Sequence, residues 1–564
     1  MLGIGVVSGL AMEKVLFFVN QKPSHNNNGT ARPEMEMEKL RKGIALASAQ
    51  LQTIMEAMEL ANAKDSVEIL DYQILMLKDT DFIGKIENDI NGGKSCAISI
   101  ENICREYRQI FAEIDNEYLN QRVYDIDDLE KRLLYAVEGE EAPKLTYMTD
   151  SIILAANDLL PSQTAELNKN IVKGILLEKG GKSSHTVILA RSLGIPCIIG
   201  LEGLFQAIEN GSIVIMNGKT GEVIENPSDE QIKAYEAQLG KEKLREKNLE
   251  KYKNSKAITK DNWQMNIYAN ITSKEEVKAL TENGGEGVGL LRTEFLYMSS
   301  VKAPSEEKQY EFYSAIAKEL KGKPLVIRTL DAGGDKNIEY LNIKKEENPF
   351  LGFRAIRYCL EHEDLFKAQI SAILRAGVYG NVKIMFPMVS TLAEIRKVKE
   401  IVNALYLELD QKSIPFAKVE LGMMVETPAA VLMADAFAKE VDFFSIGTND
   451  LTQYIFAADR DNKKVAYLNN YYHPALLKAV YDVCRAAAVN GIHVDICGQA
   501  GEIDLLVPIW AAMGVNALSV SIFSIPAVKE IICNTDRKYI QNELDKILAM
   551  EGGEQVRDYL ENLF

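Results

Sequence analysis

Short apolar runs alternate with helix-forming segments from about residue 257 to the end of the chain. The runs read QMNIYANI, GVGLLRTEF, PLVIRTLD, VKIMFPMV, LGMMVET, VDFFSIGTND, HVDICGQ and ALSVSI. Strands that are covered on both faces carry such runs, and their alternation with helices is typical of parallel α/β folds. Because eight strand–helix units fit into this length, the pattern predicts a (β/α)8 barrel.

The first half of the chain changes its hydrophobic pattern twice. Between Pro33 and Leu60 the apolar residues recur at steps of three and four, which is the stripe of an amphipathic helix, and helix-forming segments continue to about Gly139. Short β-rich runs occur before this stretch and again after Pro143. The pattern therefore predicts a small α/β domain with a helical bundle inserted after its first strands.

A polar, strongly helix-forming segment at 228–254 separates the two halves of the chain. Since it has no apolar stripe, it is typical of a solvated helix that links two domains. The complete predicted division is an α/β domain over 1–30 and 141–227, a helical domain over 31–140, a helical linker over 228–256 and the barrel over 257–564.

Charge and cysteine content narrow the possible partners and the compartment. The net charge of -17 at pH 7 disfavours nucleic acid and anionic lipid as partners. Scattered cysteines without a C-x-x-C pair indicate neither a disulfide framework nor a zinc site, which favours the cytoplasm. The apolar N-terminus lacks a basic leading segment and no apolar span reaches about 18 residues, so we expect no membrane insertion.

Arginines at or near the ends of the predicted barrel strands suggest one binding site. Side chains at the carboxyl ends of the strands share one face of such a barrel, where these folds carry out their chemistry. Arg292, Arg328 and Arg354 fall in this region, and Arg460 follows the sixth strand. Any one of them is explained equally well by pairing with an acid on the rim. Four together favour a small, multiply charged anion, because guanidinium groups fit carboxylate and phosphate oxygens.

Two carboxylates and a cysteine complete the predicted site. Glu426 and Asp450 close neighbouring strands and supply the oxygen ligands that Mg²⁺ prefers, with water and substrate phosphate as further ligands. Cys497 closes the seventh strand. An ordinary buried cysteine is the more frequent explanation for such a residue, and its position at the barrel mouth favours a role in the site.

The stretch GGKSSHTVILARSLG predicts a helix that begins at or near His185 and ends at Gly194, with Ser183 or Ser184 as its cap. A phosphoryl group on this imidazole would lie against the positive end of the helix, and imidazole is a competent nucleophile near neutral pH. A histidine at a helix start is, however, more often a capping or packing residue. The pattern by itself leaves both explanations open.

Seven blocks of this sequence occur in the same order in a known family. They are GGKSSHTVILARSLGIP, GVGLLRTEFLYM, IRTLDAGGDK, ENPFLGFRAIR, MFPM, VETPAA and DFFSIGTNDLTQY. The chain resembles Enzyme I, the phosphoenolpyruvate-protein phosphotransferase of bacterial sugar transport, along nearly its whole length. Pyruvate phosphate dikinase and phosphoenolpyruvate synthase share the histidine and barrel blocks, but they carry a large ATP-grasp domain for which this sequence shows no counterpart.

The resemblance implies an activity and a role for each candidate residue. His185 would take the phosphoryl group of phosphoenolpyruvate through its Nε2, with Thr164 orienting the ring, and Cys497 would protonate the enolate carbon as pyruvate leaves. The inserted helices would dock an HPr-type carrier protein that receives the phosphoryl group, and the barrel would form a homodimer. The residues implied for binding are Arg292, Arg328, Arg354, Lys336, Asn449, Asp450 and Arg460 for phosphoenolpyruvate, and Glu426 and Asp450 for Mg²⁺.

One departure from the family pattern lies beside the implied proton donor. The family usually reads Cys-Gly-Glu, one further residue and Ala-Gly-Asp, whereas this chain reads CGQAGE, with Gln499 for the glutamate and one residue fewer. This departure motivates one alternative to the transferase, a regulatory paralogue that binds phosphoenolpyruvate with weak or no transfer. A separate alternative is a lyase or aldolase on the barrel that uses Mg²⁺ and an enolate without the histidine. The retained GGKSSH block argues against the lyase. The sequence does not name the carrier, the sugars downstream or the turnover rate.

Overall fold

The computed structural model describes the whole chain except residues 19–22, 24–31, 61–63, 114–116, 141–149, 160–162, 164–166, 180–184, 299, 301, 335–337, 345, 461 and 463. The chain divides into two compact units, Met1–Glu242 and Lys243–Phe564. The finer division into four domains stays a prediction. No helix in the described part combines the length and the apolarity that crossing a membrane requires.

A seven-stranded sheet forms the core of the first unit. Its strands are β1 Ile4–Val7, β2 Leu10–Phe18, β3 Ile152–Ala156, β4 Val172–Leu177, β5 Cys197–Ile199, β6 Ile213–Asn217 and β7 Glu222–Glu225. They lie in the order β1-β5-β4-β3-β2-β6-β7. The strands β2 to β5 are parallel, and β1, β6 and β7 pair antiparallel toward the two edges. The predicted α/β layer is therefore confirmed.

Among the described residues, five helices lie between β2 and β3 in the chain. They are α1 Pro33–Leu60, α2 Lys64–Lys78, α3 Thr80–Asn91, α4 Cys96–Glu113 and α5 Glu117–Glu138. These helices share a hydrophobic core of their own, separate from the cores of the sheet. The stripe that predicts the first helix supplies part of it, because Leu40, Ala47 and Leu51 are fully buried there. The predicted helical insertion is confirmed.

The described part of the chain between β3 and the barrel also includes the helices His185–Leu193, Leu204–Ala207 and Asp229–Lys253. The first begins at His185, as the sequence predicts, and stops just before Gly194. The φ of Gly194 is +68°, the left-handed conformation in which glycine commonly ends a helix. The polar segment forms the single helix Asp229–Lys253, also as predicted.

Eight parallel strands close into a barrel in the second unit, which confirms the fold predicted from the alternating runs. The strands are β8 Asn266–Ile271, β9 Val288–Leu291, β10 Leu325–Arg328, β11 Val382–Phe386, β12 Glu420–Val425, β13 Phe443–Ile446, β14 His493–Ile496 and β15 Ala517–Val520. They are shorter than the apolar runs. The run GVGLLRTEF, for example, leaves the strand at Leu291 and enters a short helix at Glu294.

Helices surround this barrel and cover the outward faces of its strands, so strands and helices share one large apolar core. The α-helices are Glu276–Glu282, Glu294–Met298, Glu306–Glu319, Ile356–Glu361, Glu363–Ala376, Leu392–Gln411, Pro428–Leu432, Ala434–Phe437, Thr448–Phe456, Pro474–Asn490, Val507–Met513, Ile525–Asn534, Arg537–Leu548 and Gly553–Leu563. Because every strand points the same way, the residues that follow the strands meet at one end of the barrel.

Candidate functional site

A cavity of about 350 Å³ opens at the carboxyl ends of the barrel strands. Leu290, Met424 and Cys497 contribute apolar surface and a thiol to its lining, and Asn449 contributes an amide. In the described part of the chain, the charged lining consists of Arg292, Arg328, Arg354, Arg460, Glu294, Asp331, Glu426 and Asp450. The barrel therefore brings all four predicted arginines to one cavity, beside both predicted metal ligands.

Two of these arginines are held by buried carboxylates. Arg328, the last residue of β10, pairs with Glu294 and with Asp331, whose Oδ2 lies 3.1 Å from Nη1. Arg354 Nη2 lies 2.9 Å from Asp331 Oδ1, so one carboxylate bridges two guanidinium groups. Burial by itself would lower the pKa of Arg328, but the adjacent carboxylates outweigh it and raise that pKa. Arg328 therefore stays charged and fixed in orientation.

The other two arginines are less constrained. Arg292 follows β9, is exposed where the cavity opens, and forms no ion pair with any residue that the structure describes. Although part of its surface is exposed, the surrounding cavity walls desolvate Arg292, and this desolvation, followed by the charge of Arg328, lowers the pKa of Arg292. Arg460 Nη1 lies 3.4 Å from Asp450 Oδ1, which is a long contact between partly exposed groups. Both guanidinium groups keep donors for an anionic ligand.

Glu426 carries a buried oxygen that no described residue contacts by a hydrogen bond. Its side chain follows β12 and is 0% exposed; Oε1 accepts from the backbone N–H of Met388, while Oε2 has no partner. Met388 has a φ of +59°, a strained conformation for a residue other than glycine, and this conformation accompanies the hydrogen bond to the carboxylate. Burial and then the charges of Asp450 and Asp331 raise the pKa of Glu426 well above its usual range.

This arrangement fits a hard cation such as Mg²⁺. A buried carboxylate oxygen without a partner, next to a second carboxylate, is unfavourable unless a proton or a cation neutralises it. Within the described residues, no group of three or more His, Cys, Asp or Glu side chains could hold a metal ion. Mg²⁺ needs only one or two carboxylates, because it takes its other ligands from water and substrate phosphate. Glu426 and Asp450 therefore suit Mg²⁺ better than zinc, which requires more protein ligands.

Cys497 places a protonated thiol in the same cavity. The residue comes directly after β14, and its side chain is 4% exposed although it lines the cavity. Its Sγ donates to the carbonyl oxygen of Ile446 at 3.6 Å. Burial raises the pKa of the thiol to about 11. The sulfur is therefore protonated at neutral pH, so it can act as a proton donor and is not a thiolate nucleophile.

The loop after Cys497, which departs from the family pattern, is fixed to the helix Thr448–Phe456. A Cβ atom at Gly498 would lie only 1.9 Å from Thr448 Oγ1, so the loop approaches the helix as closely as glycine allows. The next residue, Gln499, donates its backbone N–H to Asn449 Oδ1 at 2.9 Å. The altered loop is therefore anchored to a residue of the cavity.

The predicted nucleophile belongs to the other compact unit. His185 begins its helix within Met1–Glu242, but its side chain lies outside the described residues. The predicted caps Ser183 and Ser184 lie outside them too, as do Thr164, the predicted orienting residue, and Lys336, a predicted ligand of the anion. The roles of these residues stay predictions.

Sequence reasoning missed two residues of this site. Glu294, which pairs with Arg328, stands in the run GVGLLRTEF beyond the end of the predicted strand, and the structure places it at the start of a helix. Its position only two residues after Arg292, at the end of a predicted strand, could have indicated that it lies in the site. Tyr471 donates its hydroxyl to Asn449 Oδ1 at 3.0 Å. No pattern in the sequence indicates that contact.

Comparisons with known proteins agree with this geometry. Family models match three segments: the PEP-binding domain of PEP-utilising enzymes over 246–537, their mobile domain over 148–221 and their N-terminal domain over 2–122. The phosphoenolpyruvate-protein phosphotransferase of Priestia megaterium is 40% identical over 100% of this chain and 98% of its own length. That of Listeria innocua is 39% identical over 99% of this chain and 98% of its own. The chain belongs to the family of phosphoenolpyruvate-protein phosphotransferases.

Proposed function

We propose that this protein transfers the phosphoryl group of phosphoenolpyruvate to His185, releases pyruvate, and passes the phosphoryl group to a histidine of an HPr-type carrier protein. This is the first step of a sugar phosphotransferase system. The observation that carries the proposal is the cavity at the barrel mouth, where four arginines, two carboxylates suited to Mg²⁺ and a protonated thiol line one space. No feature of the cavity or of the comparisons favours a regulatory paralogue.

The charges of the cavity suit a substrate that carries both a phosphate and a carboxylate. Arg292 and Arg460 would bind its oxygens directly, since they keep donors for a ligand, and Arg328 and Arg354 would hold it in a fixed orientation. Glu426 and Asp450 would hold Mg²⁺, which when bound would neutralise and orient the phosphoryl oxygens. Positioning and charge neutralisation supply most of the catalysis in such a transfer.

In the transfer itself, Nε2 of His185 forms a bond to phosphorus as the bond from phosphorus to the enol oxygen breaks. The electron pair of that bond leaves with the enolate of pyruvate. The Cys497 thiol then gives its proton to the enolate carbon, and solvent later returns a proton to the sulfur. Because His185 and the cavity belong to different compact units, His185 must reach the barrel mouth for this step and then meet the carrier.

The carrier, the assembly and the compartment follow from the same proposal. An HPr-type protein would dock on the helices α1 to α5, and two copies of the chain would associate through their barrels. We expect the protein to work in the cytoplasm, where phosphoenolpyruvate is made and where its free cysteines stay reduced.

Phosphate mapping tests the proposal directly. The protein is incubated with phosphoenolpyruvate labelled at phosphorus and with Mg²⁺, then digested and analysed by mass spectrometry while pyruvate is measured. We expect acid-labile phosphate on His185 and one pyruvate for each phosphate. Binding without labelling would favour a regulatory protein, and pyruvate release without labelled histidine would favour a lyase; either result would overturn the proposal.

Replacing Cys497 with alanine tests the proton donor. The arginines and carboxylates remain, so we expect the Kd for phosphoenolpyruvate in the presence of Mg²⁺ to change little. Pyruvate formation should slow by on the order of 10² to 10⁴-fold, the usual span for a general acid. Stopped-flow measurement of pyruvate release gives the rate, and Cys484→Ala is the matched control, because that buried cysteine lies outside the cavity. A near-normal rate in Cys497→Ala would assign the proton to another group.

A further inference from the structure

Two donors converge on one atom of Asn449. The backbone N–H of Gln499 lies 2.9 Å from Asn449 Oδ1, and the hydroxyl of Tyr471 lies 3.0 Å from it. A side-chain amide has one end that accepts and one end that donates, and only the oxygen can receive two donors. The orientation of this amide is therefore decided by its neighbours: oxygen toward Tyr471 and Gln499, nitrogen the other way.

The nitrogen of Asn449 is then available to a ligand. Asn449 is half-buried and lines the cavity, and no described residue accepts a hydrogen bond from its Nδ2. Arg292 and Arg460 line the same cavity and are also donors. An amide held in this orientation adds two N–H groups to an anion site and keeps its own oxygen away from the anion.

The direction of the hydrogen bond between Tyr471 and Gln499 depends on where the single hydroxyl proton goes. In the structure the Tyr471 hydroxyl faces two amide oxygens, Gln499 Oε1 at 3.1 Å and Asn449 Oδ1 at 3.0 Å. A hydroxyl has one proton and cannot donate to both amide oxygens. When that proton goes to Asn449, Gln499 must donate to the tyrosine oxygen. Rotating the Gln499 amide by half a turn exchanges its oxygen and nitrogen, so that the NH₂ faces Tyr471 while the group stays in place.

A glutamate at position 499 would reverse this arrangement. Its carboxylate has no proton to donate, so it would accept the hydroxyl proton of Tyr471, and a charged acceptor binds a proton donor more strongly than a neutral amide does. Asn449 would then lose one of its two donors. Gly498 keeps the loop tightly against Thr448, so position 499 cannot readily move away to avoid this competition.

We propose that Tyr471 and Gln499 act together as positioning residues that hold the Asn449 amide with its NH₂ toward the anionic substrate, and that Gln499 is matched to Tyr471 in this role. The proposal rests on the proposed function, because it takes phosphoenolpyruvate as the anion in the cavity. It gives the departure at position 499 a physical reason. The residue preserves the orientation of a ligand-binding amide in a chain that has a tyrosine at position 471.

A double-mutant cycle tests the pair. The full-length chain is compared with Tyr471→Phe, Gln499→Glu and the double variant, and KM for phosphoenolpyruvate, kcat and the thermal midpoint are measured. We expect Tyr471→Phe to raise KM by roughly 3- to 20-fold with little change in kcat, as for the loss of one binding hydrogen bond. Gln499→Glu should raise KM more in the Tyr471 chain than in the Tyr471→Phe chain, by a factor of about 3 or more.

The controls separate positioning from stability and from the proposed function. Tyr467→Phe changes an exposed tyrosine four residues away, 77% exposed, and should leave KM unchanged. The pairing would be overturned if Gln499→Glu raised KM equally in the Tyr471 and Tyr471→Phe chains, or if Tyr471→Phe left KM unchanged. Turnover of phosphoenolpyruvate by the wild-type chain would show that the proposed function holds in that case. If the wild-type chain neither bound nor used phosphoenolpyruvate, the proposed function and this inference would both fall.

Discussion

Replacing His185 with alanine will abolish transfer of phosphate from phosphoenolpyruvate to the carrier protein. His185 opens its helix at the positive end of the helix dipole, where a phosphoryl group on the imidazole would be stabilised, and no other residue is proposed to accept phosphate. We expect a loss on the order of 10⁴-fold or more, as is usual when a nucleophile is removed. The measurements are the rate of pyruvate formation and the phosphate on the carrier after gel separation.

The binding of phosphoenolpyruvate should survive the same substitution. The cavity lies in the compact unit Lys243–Phe564, whereas His185 lies in Met1–Glu242. Calorimetry of His185→Ala should therefore give a Kd close to that of the wild-type chain. His493→Ala is the matched control, because this exposed histidine begins β14 at the opposite end of that strand from the cavity. Phosphate on the protein or undiminished pyruvate formation in His185→Ala would contradict the assignment.

The barrel could be predicted from sequence because its signal is local. A strand that is buried on both faces must consist of a short run of apolar residues, and such a run can be recognised from neighbouring residues alone. Arg328 and Glu426 could be placed in one site for a related reason. When all strands run parallel, the residues at their carboxyl ends lie at the mouth of the barrel. We could therefore predict that Arg328 and Glu426 lie in one site without knowing any side-chain contact.

Several contacts of the site could not be predicted because they join segments that follow different strands of the barrel. Tyr471 lies 22 residues from Asn449 and 28 from Gln499, and three different elements bring them together. The pairing of Asp331 with Arg354, 23 residues along the chain, is of the same kind, whereas its pairing with Arg328 spans only three residues. Sequence left open whether the arginines bind acids or a ligand, and in the structure Arg328 and Arg354 bind acids while still lining the cavity.

The departure at Gln499 shows how a local pattern can mislead when its surroundings are unknown. From sequence it indicated an altered loop beside the implied proton donor, which motivated the regulatory alternative. In the structure the loop is held by Gly498, and Cys497 stays buried and protonated beside it. The substituted residue contacts Tyr471 and Asn449 instead of the thiol, so its effect is expected on substrate binding, while proton transfer should be preserved.

Replacing Glu426 with glutamine will remove most of the Mg²⁺-dependent activity. The substitution keeps the size of the side chain, and the amide oxygen can still accept from the backbone N–H of Met388, so the fold should persist. It removes the charge of a fully buried carboxylate whose Oε2 has no partner among the described residues. Metal ions commonly contribute several kcal/mol to such transition states, so we expect kcat/KM at fixed Mg²⁺ to fall by about 10⁴-fold.

A magnesium titration separates loss of the cation from loss of the fold. Activity of the wild-type chain should disappear with a chelator and return with Mg²⁺, whereas Glu426→Gln should need a much higher Mg²⁺ concentration or stay inactive at saturation. Glu440→Gln is the matched control, since Glu440 pairs with Arg396 and Lys399 on the outside of the barrel. An unchanged Mg²⁺ dependence in Glu426→Gln, with an unchanged thermal midpoint, would show that Glu426 does not bind the cation. The unpaired oxygen would then require a proton, because a buried carboxylate without a cation or a donor is stable only in its neutral form.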